Sequence, residues 1–351
     1  MRSLSHRRLG AVRHAGRVSG DLAATLERVV APTAGRYVAV AAAATRAGAT
    51  ASLTSGVRDA ERGGAVDEHT VFEIGSVTKV FTALLLADQV VAGAVVLAEP
   101  LQALLPDVVI PVRGRPVTLL DLATHTSGFP RLPPGLVRQA LRHRDDPYAR
   151  FTEDDLHAAL ERVKPKREPG GKWSYSNFGA AVLGHALARR AGTTYDRLLA
   201  ERVTGPLGLA DTVLALRPDQ EDRRAHGHTR RGRPTDDWSM PAMPGMGALH
   251  STVTDLTTFL RAQLDPESTP LAEAIRMTRE PRAGREPMQV ALGWLVSPMP
   301  KGGPVVHWHN GGTGGARSWA GFSVADDTTC VVLTTGQRSP DQLGFDVLRS
   351  R

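Results

Sequence analysis

Apolar positions along the chain fall into short blocks whose spacing changes between that of a helix and that of a strand. Over residues 21–30, Leu22, Leu26 and Val29–Val30 recur at helical spacing. Residues 37–44 and 49–57 are runs of small and β-branched side chains separated by Arg46-Ala-Gly, which predicts an antiparallel hairpin. An extended stretch ends at Ile74, and Gly75 punctuates it before a long apolar segment. In that segment, 76–91, Val77, Val80, Phe81, Ala83, Leu84–Leu86 and Val90–Val91 cover every face, so it reads as a helix buried all round. Further helical patterns occupy 153–163, 179–191 (with Gly192 as the stop signal), 194–203 and 252–264, where Thr254 and Asp255 look like the cap. Residues 219–245 are polar and rich in Pro and Gly, and predict a loop. Strand-like runs return at 289–296, 305–309, 317–324 and 329–335, followed by a closing helix over 341–348.

Strands at both ends of the chain with helices between them predict an α+β fold, one sheet assembled from the two ends. Sheet-forming segments 21–76 and 241–351 then flank a mainly helical subdomain, 77–240, and residues 1–20 form a basic flexible tail.

The 351 residues carry a formal net charge of +7, which raises the question of a nucleic-acid partner. Basic residues gather in the tail (Arg2, Arg7, Arg8, Arg13, Arg17) and around Arg223-Arg224 and Arg230-Arg231. No zinc-finger, RNA-binding or helix-turn-helix signature goes with them, so the charge reads as a solvated surface and no nucleic acid is expected. The single cysteine, Cys330, excludes an intramolecular disulfide and lies in a β-rich run as a buried small hydrophobe. The first 30 residues lack the apolar core of a secretory signal, and the most apolar stretch, 82–98, is broken by Asp88 and Gln89. No membrane span and a cytoplasmic location are therefore expected.

Two readings compete at Ser76. A Ser after Gly at the head of an apolar helix is a common N-cap. Three residues on, however, stands Lys79, a cation in the first turn, where the helix dipole disfavours it, among Val77, Val80 and Phe81. Burial and the positive helix end both lower a lysine pKa, and i,i+3 spacing puts the amine on the Ser76 face. That combination suits a Ser76 nucleophile activated by Lys79. Tyr175-Ser-Asn177 follows a Pro-Gly turn and precedes a helix, so Tyr175 can relay a proton and Asn177 can hold a substrate amide; equally, Ser176 or Asn177 can be an ordinary cap. His309-Asn-Gly-Gly-Thr-Gly-Gly315 joins two strand-like runs, and its glycines let a ligand lie against backbone N–H groups; by itself it is a Gly-rich hairpin.

Ser-x-x-Lys, Tyr-x-Asn and His-x-Gly in this order resemble the three elements of the penicillin-recognising serine hydrolases, specifically the class C β-lactamase-like family with its esterase and D-Ala-D-Ala carboxypeptidase relatives. Leu119-Leu-Asp-Leu-Ala-Thr-His-Thr-Ser-Gly128 and Pro206-Leu-Gly-Leu-Ala-Asp-Thr212 extend the resemblance to nearly the whole chain. It implies a β-lactamase/transpeptidase-like fold, with a central antiparallel sheet, flanking helices and an inserted all-α domain. It also implies a Ser76 acyl-enzyme, Lys79 and Tyr175 sharing acid and base work, and an oxyanion held by the N–H groups of Ser76 and Gly312. Asn177, His309 and Gly311 would contact or shape the substrate site, with no metal and no cofactor. The family's third element usually begins with Lys, which helps hold a substrate carboxylate; His309 instead favours a neutral ester or amide, unless Arg317 or Arg338 restores the charge. An esterase or amidase is thus the first expectation. A β-lactamase or D,D-carboxypeptidase comes next, then an acyltransferase or peptide cyclase, or a ligand-binding relative that acylates once.

Overall fold

The computed structural model describes residues 20–350 apart from 142, 144 and 301, so the expected basic tail lies outside the described residues. Eleven strands are labelled in chain order. β1 (Ala39–Arg46), β2 (Ala49–Asp59) and β3 (Gly63–Ala65) come first, and β4 (Phe72–Glu73) and β5 (His250–Ser251) form a separate two-stranded pair. β6 (Ala283–Arg285), β7 (Met288–Val290), β8 (Leu295–Pro298), β9 (Val305–Gly312), β10 (Ala316–Ser323) and β11 (Thr328–Thr335) follow. Apart from the β4–β5 pair, they form one sheet in the order β3-β2-β1-β11-β10-β9-β8-β7-β6, antiparallel at every junction. The two ends of the chain meet in its middle, with Ala39 opposite Thr335.

Both faces of this sheet are covered, which is why β1 and β11 read as unbroken apolar or small runs and not as an alternation. Side chains still sort by the period of two. Ala39, Ala41, Ala43, Val331 and Leu333 join the large core with the helices Thr78–Val91, Asn177–Ala191 and Val253–Leu264. Val40, Ala42, Ala44, Cys330 and Val332 face the helices Gly20–Val29 and Asp341–Arg349. The helix Thr78–Val91 is buried from Thr78 through Gln89, as its all-round apolar pattern requires, and Phe81 stacks on Phe259 at 4.1 Å.

Two local expectations fail. Residues 289–296 are two strands, because the chain reverses between Ala291, whose N–H donates to Trp294 O, and Leu295. The helix Val253–Leu264 is capped by Thr252, whose hydroxyl accepts from Asp255 N, and not by Thr254 or Asp255. Residues 219–245 are mostly irregular, as expected, with short turns of helix at either end (Pro218–Glu221 and Pro244–Met246). Among the described residues no helix is long and apolar enough to cross a membrane.

Candidate active site

β4 leads through Ile74 into a single 3₁₀ turn, Gly75–Val77, and then into the helix Thr78–Val91. Ser76 does not cap that helix: the N-cap position is Val77, with no side-chain cap bond. A 3₁₀ turn brings side chains at i and i+3 nearly into register. The Ser76 hydroxyl accordingly faces Lys79, whose Nζ lies 2.9 Å from Oγ. The amine also donates to the carbonyl of Met246 at 2.5 Å and is only 3% exposed. Burial, with the Arg131 charge adding to it, holds the Lys79 pKa well below that of an ordinary lysine.

β9 and β10 press against this turn because the contact points lack side chains. Gly75 has φ 49°, and a Cβ there would come within 2.6 Å of Gly312 N. A Cβ at Gly311 would stand 2.0 Å from Ile74 O, the same oxygen that accepts from Ser318 Oγ at 2.7 Å. Thr313 N donates to Ala316 O, so the alternation of an antiparallel ladder makes the next pair, Gly312 with Arg317, a non-hydrogen-bonded one. The Gly312 N–H therefore points off β10. β8 pairs with β9 only as far as Trp308, leaving that edge open beside Gly75 and Ser76.

Opposite stands Tyr175. Its ring lies 5.1 Å from Lys79 Nζ and 5.4 Å from the Arg131 guanidinium carbon. Ring centroids of His125 and His309 lie 4.6 and 6.0 Å from it. Burial pushes the phenol up to about 12, against the opposing pull of a Ser76 hydrogen bond and the Arg131 charge. The segment is fixed at several points. Ser176 caps the helix Asn177–Ala191 through Gly179 N, Arg131 O accepts from Asn177 N at 2.9 Å, and His125 Nδ1 accepts from Ser176 N at 3.2 Å. His125 adopts φ 58°, a left-handed conformation uncommon for a side-chain-bearing residue. It sits just past a helical turn anchored by the Thr118–Asp121 capping box and the two-pronged Arg115–Asp121 ion pair.

Burial, with the Lys79 charge, depresses both His125 and His309 to about 3, so both imidazoles are neutral near pH 7. His309 Nδ1 lies 2.6 Å from Asn310 O, while its Nε2 is buried and unpartnered. The amide oxygen of Asn177 is likewise buried without a partner. Ser76, Tyr175, Asn177, Gly311 and Gly312 keep partial solvent contact and form the mouth; Lys79 and His309 form the floor.

Six of the seven residues singled out in the sequence thus meet at one junction, and Asn177 is tied to it through its backbone bond to Arg131, which flanks the Tyr175 ring. Three participants carry no such signal. His125 and Arg131 belong to the loop after Leu119–Ala123, which the resemblance covers without assigning roles. Glu73 is 6% exposed; its Oε1 accepts from Trp238 N at 2.9 Å and its Oε2 from Thr313 Oγ1 at 2.7 Å, tying two loops to the strand before Ser76. Burial, then the Asp237 charge, raises this carboxyl to about 7. Arg317 does not supply a free cation: it donates to the carbonyls of Thr313 and Ala316. Arg338 lies beside Arg36 and Arg230 in a separate cavity of about 430 Å³. His307, two residues before His309 on β9, is engaged with Arg279 O at 2.9 Å. Trp294 and Trp319 are core residues.

The Beta-lactamase family profile matches residues 22–349. The D-alanyl-D-alanine-carboxypeptidase/endopeptidase AmpH of Escherichia coli (strain K12) is 29% identical over 286 residues, which cover 77% of this chain and 72% of the relative. A beta-lactamase of Pseudomonas fluorescens is 28% identical over 240 residues, covering 67% of this chain and 63% of the relative. A solved class C beta-lactamase superposes with a TM-score of 0.83 at 21% identity, over 96% of this chain and 99% of that one, so the two share a fold.

Proposed function

The chain belongs to the Beta-lactamase family and is a serine hydrolase, and from that premise we propose that it cleaves an uncharged ester or amide through an acyl-enzyme on Ser76. The observation that carries the proposal is the 2.9 Å contact between the Ser76 hydroxyl and a buried amine whose basicity is depressed. An amine whose pKa is held well below the ordinary lysine value gives up its proton more readily and, once neutral, can accept the serine proton, whereas burial pushes the Tyr175 phenol up to about 12 and favours its protonated form.

In the acylation step Ser76 Oγ attacks the carbonyl carbon while its proton passes to Lys79 Nζ. The carbonyl π-electrons move onto oxygen, which the N–H groups of Ser76 and Gly312 receive. As the tetrahedral adduct collapses, the bond to the leaving group breaks and that group takes the Tyr175 phenolic proton. Lys79 reprotonates Tyr175, restoring both side chains. Water repeats the sequence on the acyl-enzyme and releases the acid. Asn177, two residues after Tyr175, would meet a substrate N–H with its unpartnered amide oxygen by turning its side chain toward the cleft. The neutral floor at His309 favours substrates without a carboxylate at that point, consistent with the commitment of Arg317 to backbone carbonyls.

A second reading, β-lactam or D-Ala-D-Ala amide hydrolysis, draws on the names of the relatives. Arg131, exposed at the mouth beside Tyr175, would then meet the carboxylate. The test is fluorophosphonate labelling of wild type and Ser76→Ala, followed by turnover of p-nitrophenyl esters, nitrocefin and a D-Ala-D-Ala peptide. Labelling confined to wild type with fastest turnover of esters supports the first reading. Preference for nitrocefin or the peptide supports the second, and labelling that persists in Ser76→Ala refutes the mechanism.

A further inference from the structure

Away from the catalytic cleft, the helices Glu153–Arg162 and Asn177–Ala191 bring three donor atoms together. Glu153 and His157 are one turn apart on the first helix, and His185 faces them from the second. His157 Nε2 and His185 Nε2 are 3.0 Å apart, and Glu153 Oε1 is 3.8 Å from each. We propose that Glu153, His157 and His185 bind a divalent transition-metal ion of the zinc class, stapling the two helices together.

The distances fit such an ion. A triangle with sides of 3.0, 3.8 and 3.8 Å has its centre about 2.1 Å from every corner, which is the Zn–N and Zn–O bond length. Without an ion, one imidazole N–H can donate to the other ring's lone pair, but the carboxylate then sits equidistant from both nitrogens and too far to bond either. A carboxylate aimed between two imidazoles that it does not hydrogen-bond is the arrangement a cation completes. The donor set, two nitrogens and one oxygen, suits zinc and leaves a position for water on the exposed side, where the Glu153 side chain is 56% accessible.

The charges agree. Arg189 Nη2 donates to both oxygens of Asp107 at 3.0 Å, while its Nη1 stays 3.8 Å from Glu153. Two carboxylates and one guanidinium leave the cluster one negative charge for an incoming dication. His185 lies eight residues beyond Asn177, about 12 Å along the helix, so the ion would brace the helix behind the catalytic mouth without touching the reacting atoms.

The experiment uses full-length, chelator-treated protein without a polyhistidine tag, titrated with zinc sulfate by calorimetry and heated with and without zinc. Cobalt(II) chloride supplies a visible absorption that reports a tetrahedral site. The expected result is one tight equivalent, a rise in Tm, and binding weakened at least about tenfold in both Glu153→Gln and His185→Asn, each checked for native circular dichroism. The exposed Glu153→Gln change keeps the histidine pair and guards against loss of fold. Absence of binding to wild type, or a zinc response unchanged in either variant, overturns the site; the latter would assign the metal to other histidines such as His6 or His14. The outcome is independent of whether Ser76 is the nucleophile.

Discussion

Replacing Glu73 by Gln should change how stability responds to pH. Folding raises this carboxyl from 4.5 to about 7, chiefly by burying it and then by placing it near Asp237. A group whose folded pKa exceeds its unfolded pKa stabilises fully below the unfolded value, and that contribution drains away as pH rises through the folded one. For Glu73 the window is therefore about pH 4.5 to 7, and the contribution is flat above it. Two and a half units at roughly 1.36 kcal/mol each give a span of about 3 kcal/mol, of which ~2.5 kcal/mol falls between pH 5 and 8.5. A glutamine at this position cannot ionise, and its amide oxygen can still accept from Trp238 N. His125 and His309, depressed to about 3, impose the opposite slope below pH 6.5, so the informative quantity is the difference between the two proteins. Urea unfolding at several pH values should show the wild-type advantage over Glu73→Gln falling by ~2.5 kcal/mol across this range. Parallel curves, or an advantage that grows with pH, would refute the reasoning.

Further tests address the site directly. Arg131 and Lys79 flank one ring and are at most about 10.5 Å apart, so removing the exposed cation in Arg131→Gln should raise the Lys79 pKa and move the acidic limb of kcat/KM upward by about 0.3–0.6 pH unit. A limb that stays put or moves down would break the link between that limb and Lys79. Asn177→Ala removes a buried acceptor that has no partner, so unfolding free energy should stay within ~0.5 kcal/mol while kcat/KM falls roughly tenfold to a hundredfold; a large stability loss counts against an open substrate acceptor. Gly311→Ala sets a methyl 2.0 Å from Ile74 O, and should cost at least ~2 kcal/mol on thermal or urea unfolding and abolish fluorophosphonate labelling; retained labelling would show that β9 need not press on the nucleophile turn.

What the sequence displays is whatever short-range chemistry encodes. The stop at Gly192, the all-apolar helix after Thr78 and the three-residue step from Ser76 to Lys79 all depend on neighbours within a turn or two. The same locality explains why a Ser76 cap was a fair expectation, since Gly-Ser before a helix does not distinguish an α N-cap from a 3₁₀ turn. Residues 289–296 look like one strand because their apolar run continues through the reversal before Leu295. His125, Arg131 and Glu73 have no local signature: they take their places from contacts with Ser176, Tyr175, Trp238 and Thr313, far away in the chain. The Glu153–His157–His185 cluster is invisible likewise, because His185 comes from a helix 28 residues beyond His157.

The junction of β1 with β11 carries a consequence for how the chain comes to life. Ala39 N reaches Thr335 across 296 residues, and closing a loop of that size costs about 5 kcal/mol of chain entropy before any strand pairing compensates. Sheets held by such distant partners form late and slowly. Ser76 and Lys79 leave the ribosome well before Gly312 and the strand that seats it. A nascent polypeptide therefore carries Ser76 beside Lys79 before the strand that faces them exists, and the proposed nucleophile gains its Gly312 partner only when β9 joins the sheet.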